Sequence, residues 1–381
     1  MERILVSLVS EQTVPNVLAI RHFGPDRLLF VSTERMQSGG KTTAILNSLK
    51  LARLNYEGKY ENVVVDPDSV PHIQRVLSSW MEKHEDAHVI LNATGGTKIM
   101  SLAAYDFFKN RGCEIIYIPI PRNEFLTLSP NRTGQKTELI RERLNVLEYL
   151  AAYGIEVVNE KRLGALEGHA RKHAESTRWM VEHYDEIRNL LKWFYENLKG
   201  KKNEFDLNVR YGTATAAEKD ILKKLGFNYE EGYISKRITK KEMRFLTGGW
   251  LEEYCYNEIV GQDIDVKIGI EVKGATGRNN EMDVMFTKDN AIYFVECKSL
   301  DQKFDDGHNQ ALYKIGALQR QFGLRVKSFL VSTAPGVMRQ DGRIKESIRE
   351  RGEQFNTRII IPSEIMTFRK TVLEDIGPKK Q

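Results

Sequence analysis

Short apolar runs and amphipathic stretches alternate along the first third of the chain. The apolar runs have the length of β-strands, and the stretches between them carry the spacing of helices with one buried face. Strands are predicted at 3–9, 27–31, 61–65, 88–91 and 114–118. Helices are predicted at 42–54, 69–83 and 98–110, among others. This alternation predicts a doubly wound parallel sheet covered by helices on both faces.

The last third of the chain has a different order of elements. An alternating stretch surrounds Asp283, and a turn at 288–290 separates it from a second short strand at 291–298. Further strands are predicted at 263–273, 326–331 and 357–361, and helices at 247–260, 307–322 and 343–351. The resulting order is α-β-β-β-α-β.

The middle of the chain, residues 136–240, is the least informative region. Helical patterns cover 137–153 and 170–199, and an exposed break is predicted at 199–203, so we interpret the region as a helical connector. A small DNA-binding fold within it is left open. His169 and His173 lie one helical turn apart, but their neighbours Arg171 and Lys172 repel cations, and this favours a solvated helix face over a metal site.

Length and composition define the class of protein. A chain of 381 residues with 41% hydrophobic and 29% charged residues is typical of a soluble globular protein of two domains and a connector. No apolar run approaches the ~18 residues of a membrane span, and no signal-peptide pattern is found, so a cytoplasmic location is expected. Three scattered cysteines favour reduced thiols. The net charge of +5 permits a polyanionic partner.

The most informative motif is Asp283 followed, thirteen positions later, by Glu296-Cys297-Lys298. Alternate residues of a strand point to one face, so Glu296 and Lys298 emerge together while Cys297 turns inward. Asp283, on the neighbouring strand, can join them. Two carboxylates so close repel each other unless a divalent cation such as Mg²⁺ or Mn²⁺ lies between them. We therefore predict metal-dependent cleavage of a phosphodiester, with Lys298 orienting water and offsetting phosphorane charge.

The predicted metal ligands are Asp283, Glu296 and the backbone carbonyl of Cys297. A simpler interpretation is an ordinary ion cluster on a strand face, where charged cross-strand pairs are common. The apolar run at 292–295 argues against it, because it indicates a strand buried on both faces, at whose end charged groups are costly.

Two loops of the N-terminal region follow predicted strands, where ligands bind in such sheets. Ser10, Gln12 and Thr13 follow the first strand, and the segment 92–98 follows the fourth and leads into a helix. The second loop supplies Asn92, Thr94, Gly95, Gly96, Thr97 and Lys98. Paired glycines, hydroxyls, a lysine and a helix N-terminus suit a phosphate. Thr97 could also be a simple N-cap.

Other nucleotide sites fit less well. No GxGxxG follows the first strand, which argues against a dinucleotide site. The segment 38–42 has the form of the end of a P-loop, but the leading glycine would fall at Arg35.

Two family resemblances follow from these motifs. Residues 241–381 resemble the PD-(D/E)XK restriction-endonuclease-like fold, on the element order and the segments GGWLEEY, NEMDV and ECK. Residues 1–135 resemble the Rossmann-like CARF domain (CRISPR-associated Rossmann fold), on the loop NATGGTK. Together they resemble the cyclic-oligoadenylate-activated nucleases of type III CRISPR systems. The fold class expected is therefore α/β, with a CARF domain, a helical connector and a nuclease domain.

The resemblance implies further properties. It implies a homodimer whose paired CARF domains bind cyclic tetra-adenylate, and metal-dependent cleavage of DNA and possibly RNA in antiviral defence. It also implies an acidic residue from the leading helix, for which Glu252 is the first candidate and Glu253 the second. Gln310 and Tyr313 on the following helix are weaker candidates near the substrate backbone, and His308 is predicted to be exposed and without a role.

Two other functions stay open on the sequence. A non-catalytic CARF regulator could bind nucleic acid through its C-terminal domain, although a binding module gains nothing from a buried carboxylate cluster. An ungated restriction-type endonuclease would use the N-terminal domain as a scaffold only.

Overall fold

The computed structural model describes residues 1–119, 122–130, 137–273, 279–299, 306–319 and 326–377. Within these ranges the strands form a seven-stranded, a three-stranded and a five-stranded sheet, in that order along the chain. None of the described helices is both long and apolar enough to cross a membrane.

The seven-stranded sheet belongs to the N-terminal region. Its strands are β1 (Arg3–Leu8), β2 (Arg27–Ser32), β3 (Tyr60–Val64), β4 (His88–Asn92), β5 (Glu114–Tyr117), β6 (Glu124–Ser129) and β7 (Glu138–Leu139). The order across the sheet is β3-β2-β1-β4-β5-β6-β7, with β1 to β5 parallel and the last two antiparallel. The predicted doubly wound sheet is thus confirmed. The direction in which successive strands are added reverses between β1 and β4, and the loops that follow these two strands flank this point.

Helices cover both faces of this sheet. They are α1 (Val14–Phe23), α2 (Glu34–Ser38), α3 (Lys41–Leu51), α4 (Val70–Met81), α5 (Lys98–Lys109) and α6 (Val146–Ala152). Alternate residues of the buried strands enter two separate apolar cores, one on each face.

The middle region begins as a helical connector and then departs from it. The helices are α7 (Glu160–Lys172), α8 (Ala174–Glu182) and α9 (Tyr184–Leu198). After them come β8 (Phe205–Arg210), α10 (Ala216–Lys224), β9 (Asn228–Glu230) and β10 (Tyr233–Ile238), which form an antiparallel sheet in the order β8-β10-β9. The region predicted as a helical connector therefore also contains a small sheet, from β8 onward. The small sheet was missed because its strands are short and carry charged residues on their exposed face.

The C-terminal region has the predicted order of elements. The short helix α11 (Lys240–Arg244) and a π-helical turn (Phe245–Gly249) precede α12 (Trp250–Ile259). The five strands are β11 (Asp265–Val272), β12 (Asn280–Lys288), β13 (Ala291–Lys298), β14 (Lys327–Ser332) and β15 (Thr357–Ile360). The remaining helices are α13 (Asp306–Gln319), α14 (Glu346–Gln354) and α15 (Phe368–Ile376), with 3₁₀ turns at Pro335–Val337 and Pro362–Thr367.

The sheet runs β11-β12-β13-β14-β15. Its first three strands are antiparallel and its last three are parallel. The leading helix starts three residues later than its predicted start at 247, because Gly248 has φ 144°, outside the helical region, and breaks the helix before Trp250.

Helix α6 joins the N-terminal sheet to the C-terminal sheet. One apolar core continues from the N-terminal strands across α6 to β11, β12 and β13. At the start of α6 the backbone N–H of Val146 donates to Asp265 Oδ2 at 2.8 Å, and the N–H of Leu144 donates to Asn290 Oδ1 at 2.8 Å. The two sheets are therefore connected by packing and by directional bonds.

Candidate active site and ligand-binding loops

Strand register places Asp283 opposite Glu296. The antiparallel ladder between β12 and β13 ends with Val284 paired to Val295, and the next facing positions are Asp283 and Glu296. Beyond that point the N–H of Cys297 donates to the Asp283 carboxylate instead of to a backbone carbonyl of β12, at 2.7 Å from Oδ2. The two carboxylates thus meet where the strands separate.

Two lysines hold the carboxylate of Glu296. Lys298 Nζ lies 2.9 Å from Oε1, and Lys314 Nζ lies 2.9 Å from Oε2. Glu296 is only 5% exposed, so its two oxygens are bonded to these lysines rather than to bulk water. Lys298 comes from the same strand, as its spacing from Glu296 predicts. Lys314 comes from α13. The sequence pattern did not identify it as a site residue, although it directly follows the candidate Tyr313 on the same helix.

Glu252 on α12 joins Asp283 and Glu296 in what we call the acidic cluster. Its Oε2 accepts from Arg244 Nη2 at 3.0 Å, and the same guanidinium nitrogen bonds Glu281 Oε1. Burial, and the charges of Glu281 and Glu296, raise the pKa of Glu252 although Arg244 opposes the shift. The first-choice acidic residue of the leading helix therefore lies within electrostatic reach of the predicted site.

The electrostatics of the cluster favour bound positive charge. Burial, followed by the charges of Glu296 and Glu252, raises the pKa of Asp283 well above its usual range. Burial alone would lower the pKa of Lys298, but Glu296 and Asp283 outweigh it and the net direction is upward. Asp283, Glu296 and Glu252 lie within electrostatic reach of one another, and their carboxylate oxygens are the donors that Mg²⁺ and Mn²⁺ prefer, so the residues present fit such an ion.

Cys297 contributes no side chain to this cluster. Its thiol lies in the apolar core between α12 and the sheet, near Cys255, and burial raises its pKa well above the usual range. This agrees with the predicted inward orientation. All three cysteines are buried and unpaired.

One prediction near the site is wrong, that for His308. His308 is buried rather than exposed, at 3% exposure, and its Nε2 lies 2.8 Å from Ser332 Oγ. Tyr313 is half-exposed and packs against Phe355 and Arg351, and its place near the substrate backbone stays a prediction. The adjacent Lys314 reaches Glu296. Gln310 is exposed on the same helix.

The three remaining histidine and glutamate candidates contact one another where α7 meets α12. His169 and His173 do not form a solvated face, because Nδ1 of each ring bonds one carboxylate oxygen of Glu253, at 2.9 and 2.7 Å. Glu253, the second choice for the leading helix, therefore points to α7, while Glu252 points to the acidic cluster.

The loop after β1 is anchored to the end of α6. Thr13 is fully buried and its hydroxyl donates to the carbonyl of Ala152, which removes it from any ligand. Gln12 Oε1 accepts from the Tyr153 hydroxyl at 2.9 Å. Ser10 Oγ bridges the backbone of Gln12, with contacts of 3.3 Å to its N–H and carbonyl. Ser10 and Gln12 stay partly exposed at the sheet edge.

The loop after β4 is held by its own side chains. Asn92 is buried, and its Oδ1 accepts from the Thr94 hydroxyl at 2.6 Å and the Thr94 N–H at 3.2 Å. Thr94 Oγ1 also accepts the N–H of Ile118 at 2.8 Å. Both side chains are thus committed to shaping the loop rather than to contacting a ligand.

The glycines bring this loop against β1. A Cβ on Gly95 would lie 2.0 Å from the carbonyl oxygen of Leu8, and Gly96 has φ +76°. Thr97 caps α5, its Oγ1 accepting the N–H of Met100 at 3.2 Å, as the simpler interpretation predicts. Lys98 is exposed at the first turn of α5. Ser10, Gln12, Gly96 and Lys98 therefore remain at the surface of one sheet edge.

Comparison with known proteins supports the same division of the chain. A family model described as the Card1 CARF domain matches residues 4–149, and one described as the Card1-like endonuclease domain matches residues 239–377. The CARF and nuclease assignments made from the sequence are thereby confirmed. Comparison with curated proteins gave no match.

Several solved structures share the fold. Can2 from Sulfobacillus thermosulfidooxidans, in complex with cyclic tetra-adenylate, has a TM-score of 0.75 at 23% identity, covering 99% of this chain and 100% of its own. Protein VC1899 from Vibrio cholerae has a TM-score of 0.75 at 17% identity, covering 98% and 97%. A type III CRISPR defence DNA nuclease activated by cyclic oligoadenylate has a TM-score of 0.53 at 17% identity, covering 93% of this chain and 52% of that one.

Proposed function

Because this chain belongs to the family that joins a Card1-type CARF domain to a Card1-like endonuclease domain, we propose that it is a metal-dependent nuclease activated by cyclic tetra-adenylate. It would act in the cytoplasm in type III CRISPR defence, on DNA and possibly RNA. The observation that carries the catalytic part is the convergence of Glu252, Asp283, Glu296 and Lys298 where β12 and β13 separate.

Mg²⁺ or Mn²⁺ would be held by Asp283, Glu296 and the carbonyl of Cys297, with Glu252 beside them. When bound, the ion supplies a water of lowered pKa and offsets negative charge on the phosphate. The carboxylates of Glu296 and Asp283 raise the pKa of Lys298, so its side chain stays protonated. It can then donate to the phosphate or hold the attacking water. Arg244, already bridging Glu252 and Glu281, orients the helix carboxylate.

The sensor part of the proposal rests on the loops after β1 and β4. Lys98, the amides of the glycine turn and the N-terminus of α5 form an edge that suits phosphate. Ser10 and Gln12 lie on the neighbouring loop and can bind a base or ribose. One such edge can contact only part of a cyclic tetranucleotide, so we propose that two chains, related by a two-fold axis, share one ligand.

Helix α6 is the proposed route from sensor to nuclease. Its C-terminal end is bonded to the β1 loop through Ala152 and Tyr153, and its N-terminal end is bonded to β11 through Asp265. A ligand that moves the loop therefore acts on an element packed directly against the nuclease sheet. Activation requires that the ligand bind one arrangement of that sheet more tightly than the other.

The proposal is tested by cleavage of single- and double-stranded DNA and RNA with and without cyclic tetra-adenylate, in Mg²⁺ or Mn²⁺ and with a chelator. Cleavage that needs both ligand and metal supports it. A non-catalytic regulator would bind nucleic acid without cleaving it, and an ungated endonuclease would cleave equally without ligand. Asp283→Asn, assayed in parallel, identifies contaminating nuclease, because its activity should be lost.

A further inference from the structure

A second group of metal-ligating side chains lies outside the acidic cluster, where α7 meets α12. It consists of His169, His173 and Glu253, and their ligand atoms all lie within 4.8 Å of one another. Each imidazole Nδ1 faces a different oxygen of the same carboxylate. The two rings are perpendicular, with centroids 4.5 Å apart.

Local structure directs both rings to α12. His169 and His173 are four residues apart, so they lie on one side of the last turn of α7. His173 ends α7 and precedes α8, which fixes its direction. Asn257 of α12 donates to the carbonyl of Ala170 at 2.8 Å, and this bond sets the spacing of the two helices.

The charge around Glu253 is unusual for a buried carboxylate. Glu253 is 8% exposed, and among the residues described it pairs with the two imidazoles and with no lysine or arginine. Burying a carboxylate without such a partner is costly unless another positive charge compensates it. The neighbouring Arg171 is turned away, since its guanidinium bonds Glu167 and the hydroxyl of Tyr256.

We propose that His169, His173 and Glu253 bind a Zn²⁺ ion, which ties α7 to α12. Two imidazole nitrogens and one carboxylate are a ligand set that zinc binds well, whereas Mg²⁺ prefers oxygen. A cavity of about 210 Å³ reaches His169 and Glu253, giving the ion access and leaving space for water as a further ligand. Phe245, whose ring centroid lies 4.5 Å from that of His173, closes the apolar side.

This site is chemically separate from the nuclease centre but adjacent to it. The same cavity is lined by Glu252 and Arg244, and Glu252 precedes Glu253 on α12. Fixing Glu253 to α7 therefore fixes the turn of helix that presents Glu252 to the acidic cluster. Zinc would act here as a structural ion, and the proposal does not depend on which nucleic acid the enzyme cleaves.

The test measures zinc in the full-length protein by elemental analysis after incubation with Zn²⁺ and gel filtration. The variant Asp283→Asn/Glu296→Gln is included because zinc could also enter the nuclease centre. We expect roughly one zinc per chain to be retained in this variant. We expect none to be retained when His169→Gln/His173→Gln is added, because a glutamine amide can still donate to Glu253 but is a poor zinc ligand.

A matched control and a second measurement exclude a folding effect. His183→Gln removes another histidine at a helix junction, stacked on Trp179 and bonded to its carbonyl, and should retain zinc. Zinc at roughly 100 times Kd should raise the unfolding midpoint of the Asp283→Asn/Glu296→Gln variant by about 3 °C. It should leave the midpoint unchanged when His169→Gln/His173→Gln is added to that variant.

Three results of the zinc analysis would overturn the proposal. Absence of zinc from the protein with an intact His169, His173 and Glu253 would mean that the group is only a pair of hydrogen bonds. Equal zinc content with and without His169→Gln/His173→Gln would place the ion elsewhere. Zinc that is lost in Asp283→Asn/Glu296→Gln alone would assign it to the nuclease centre.

Discussion

Replacing Tyr153 by phenylalanine removes one hydroxyl from the route between sensor and nuclease. That hydroxyl donates to Gln12 Oε1 at 2.9 Å, in the proposed ligand-binding loop. It also bonds to the neighbouring Tyr149, whose ring centroid lies 5.2 Å away and which belongs to the core shared with the nuclease sheet. Burial raises the pKa of Tyr153 to about 12, so the group remains a neutral donor at every working pH.

The size of the effect follows from the bond that is lost. A neutral intramolecular hydrogen bond contributes about 0.5–1.5 kcal/mol net, which corresponds to a factor of about 2–12 in an equilibrium constant. Gln12 would lose its fixed orientation and would have to be ordered when the ligand binds. Tyr153→Phe is therefore expected to raise the cyclic tetra-adenylate concentration for half-activation by about 2- to 12-fold. The maximal rate of cleavage should change little, because the metal site is untouched.

The assay is a titration of the cleavage rate with ligand, combined with urea unfolding of each variant. Tyr56→Phe is the matched control, because the Tyr56 hydroxyl is also buried and donates to a carbonyl, that of Pro25, at 3.0 Å. Tyr56→Phe should lose about 1 kcal/mol of stability and Tyr153→Phe about 1–3 kcal/mol, because the latter also breaks the bond to buried Tyr149. Only Tyr153→Phe should shift the activation midpoint. An unshifted midpoint in Tyr153→Phe, or an equal shift in both variants, would refute the proposed route through α6.

Three further predictions concern charge. Lys98→Ala should raise the half-activating ligand concentration about tenfold or more, as expected for a lost charged hydrogen bond to phosphate. A ligand titration measures this, with Lys109→Ala at the other end of α5 as the control that should show no change. Lys314→Ala should tighten Mn²⁺ binding by up to about fivefold, measured by calorimetry, because a competing cation with 31% exposure contributes about 1 kcal/mol at most. Asp283 has a raised pKa in the folded, metal-free protein, so its contribution to stability is present at low pH and is lost as pH rises through that pKa. Asp283→Asn should therefore stabilise the metal-free protein at neutral pH in thermal melts, and the Mn²⁺ affinity of the protein with Asp283 intact should fall as pH is lowered; a destabilised Asp283→Asn, or a pH-independent affinity, would contradict the buried-carboxylate argument.

The central cluster could be predicted from sequence because it depends on local rules. The two-residue period of a strand brings Glu296 and Lys298 together, and a short turn between adjacent strands brings Asp283 opposite Glu296. The parallel sheet, and the loops at the ends of its strands, follow from the alternation of strands and helices for the same reason.

The remaining parts of the site depend on tertiary packing. Lys314 and Arg244 reach the acidic cluster from other helices, and no spacing along the chain relates them to it. His308 was predicted to be exposed because its helix carries no clear apolar period around it, yet it is buried against Ser332. The histidines of α7 were judged by their sequence neighbours, but Arg171 pairs with Glu167 and Tyr256 instead, which leaves the rings free to face Glu253.

The loop after β4 shows a different limit. Its composition predicts a phosphate site, and composition does not reveal which side chains the loop uses for itself. Asn92 and Thr94 bond each other and the start of the segment after β5, so the contacts proposed for the ligand pass to Lys98 and the glycine turn. Thr13, on the loop after β1, is likewise used by α6.

The most direct measurement compares Glu296→Ala with the unmodified protein for ligand binding and for cleavage in the same preparation. Glu296 lies in the nuclease sheet and contacts Lys298 and Lys314, away from the loops of the N-terminal sheet. We expect the Kd for cyclic tetra-adenylate to stay within about twofold, since distant and independent sites differ by only about 0.3–0.5 kcal/mol, while ligand-stimulated cleavage in Mg²⁺ or Mn²⁺ disappears. Ligand-stimulated cleavage that persists in Glu296→Ala at the unmodified rate would contradict the assignment of the nuclease centre.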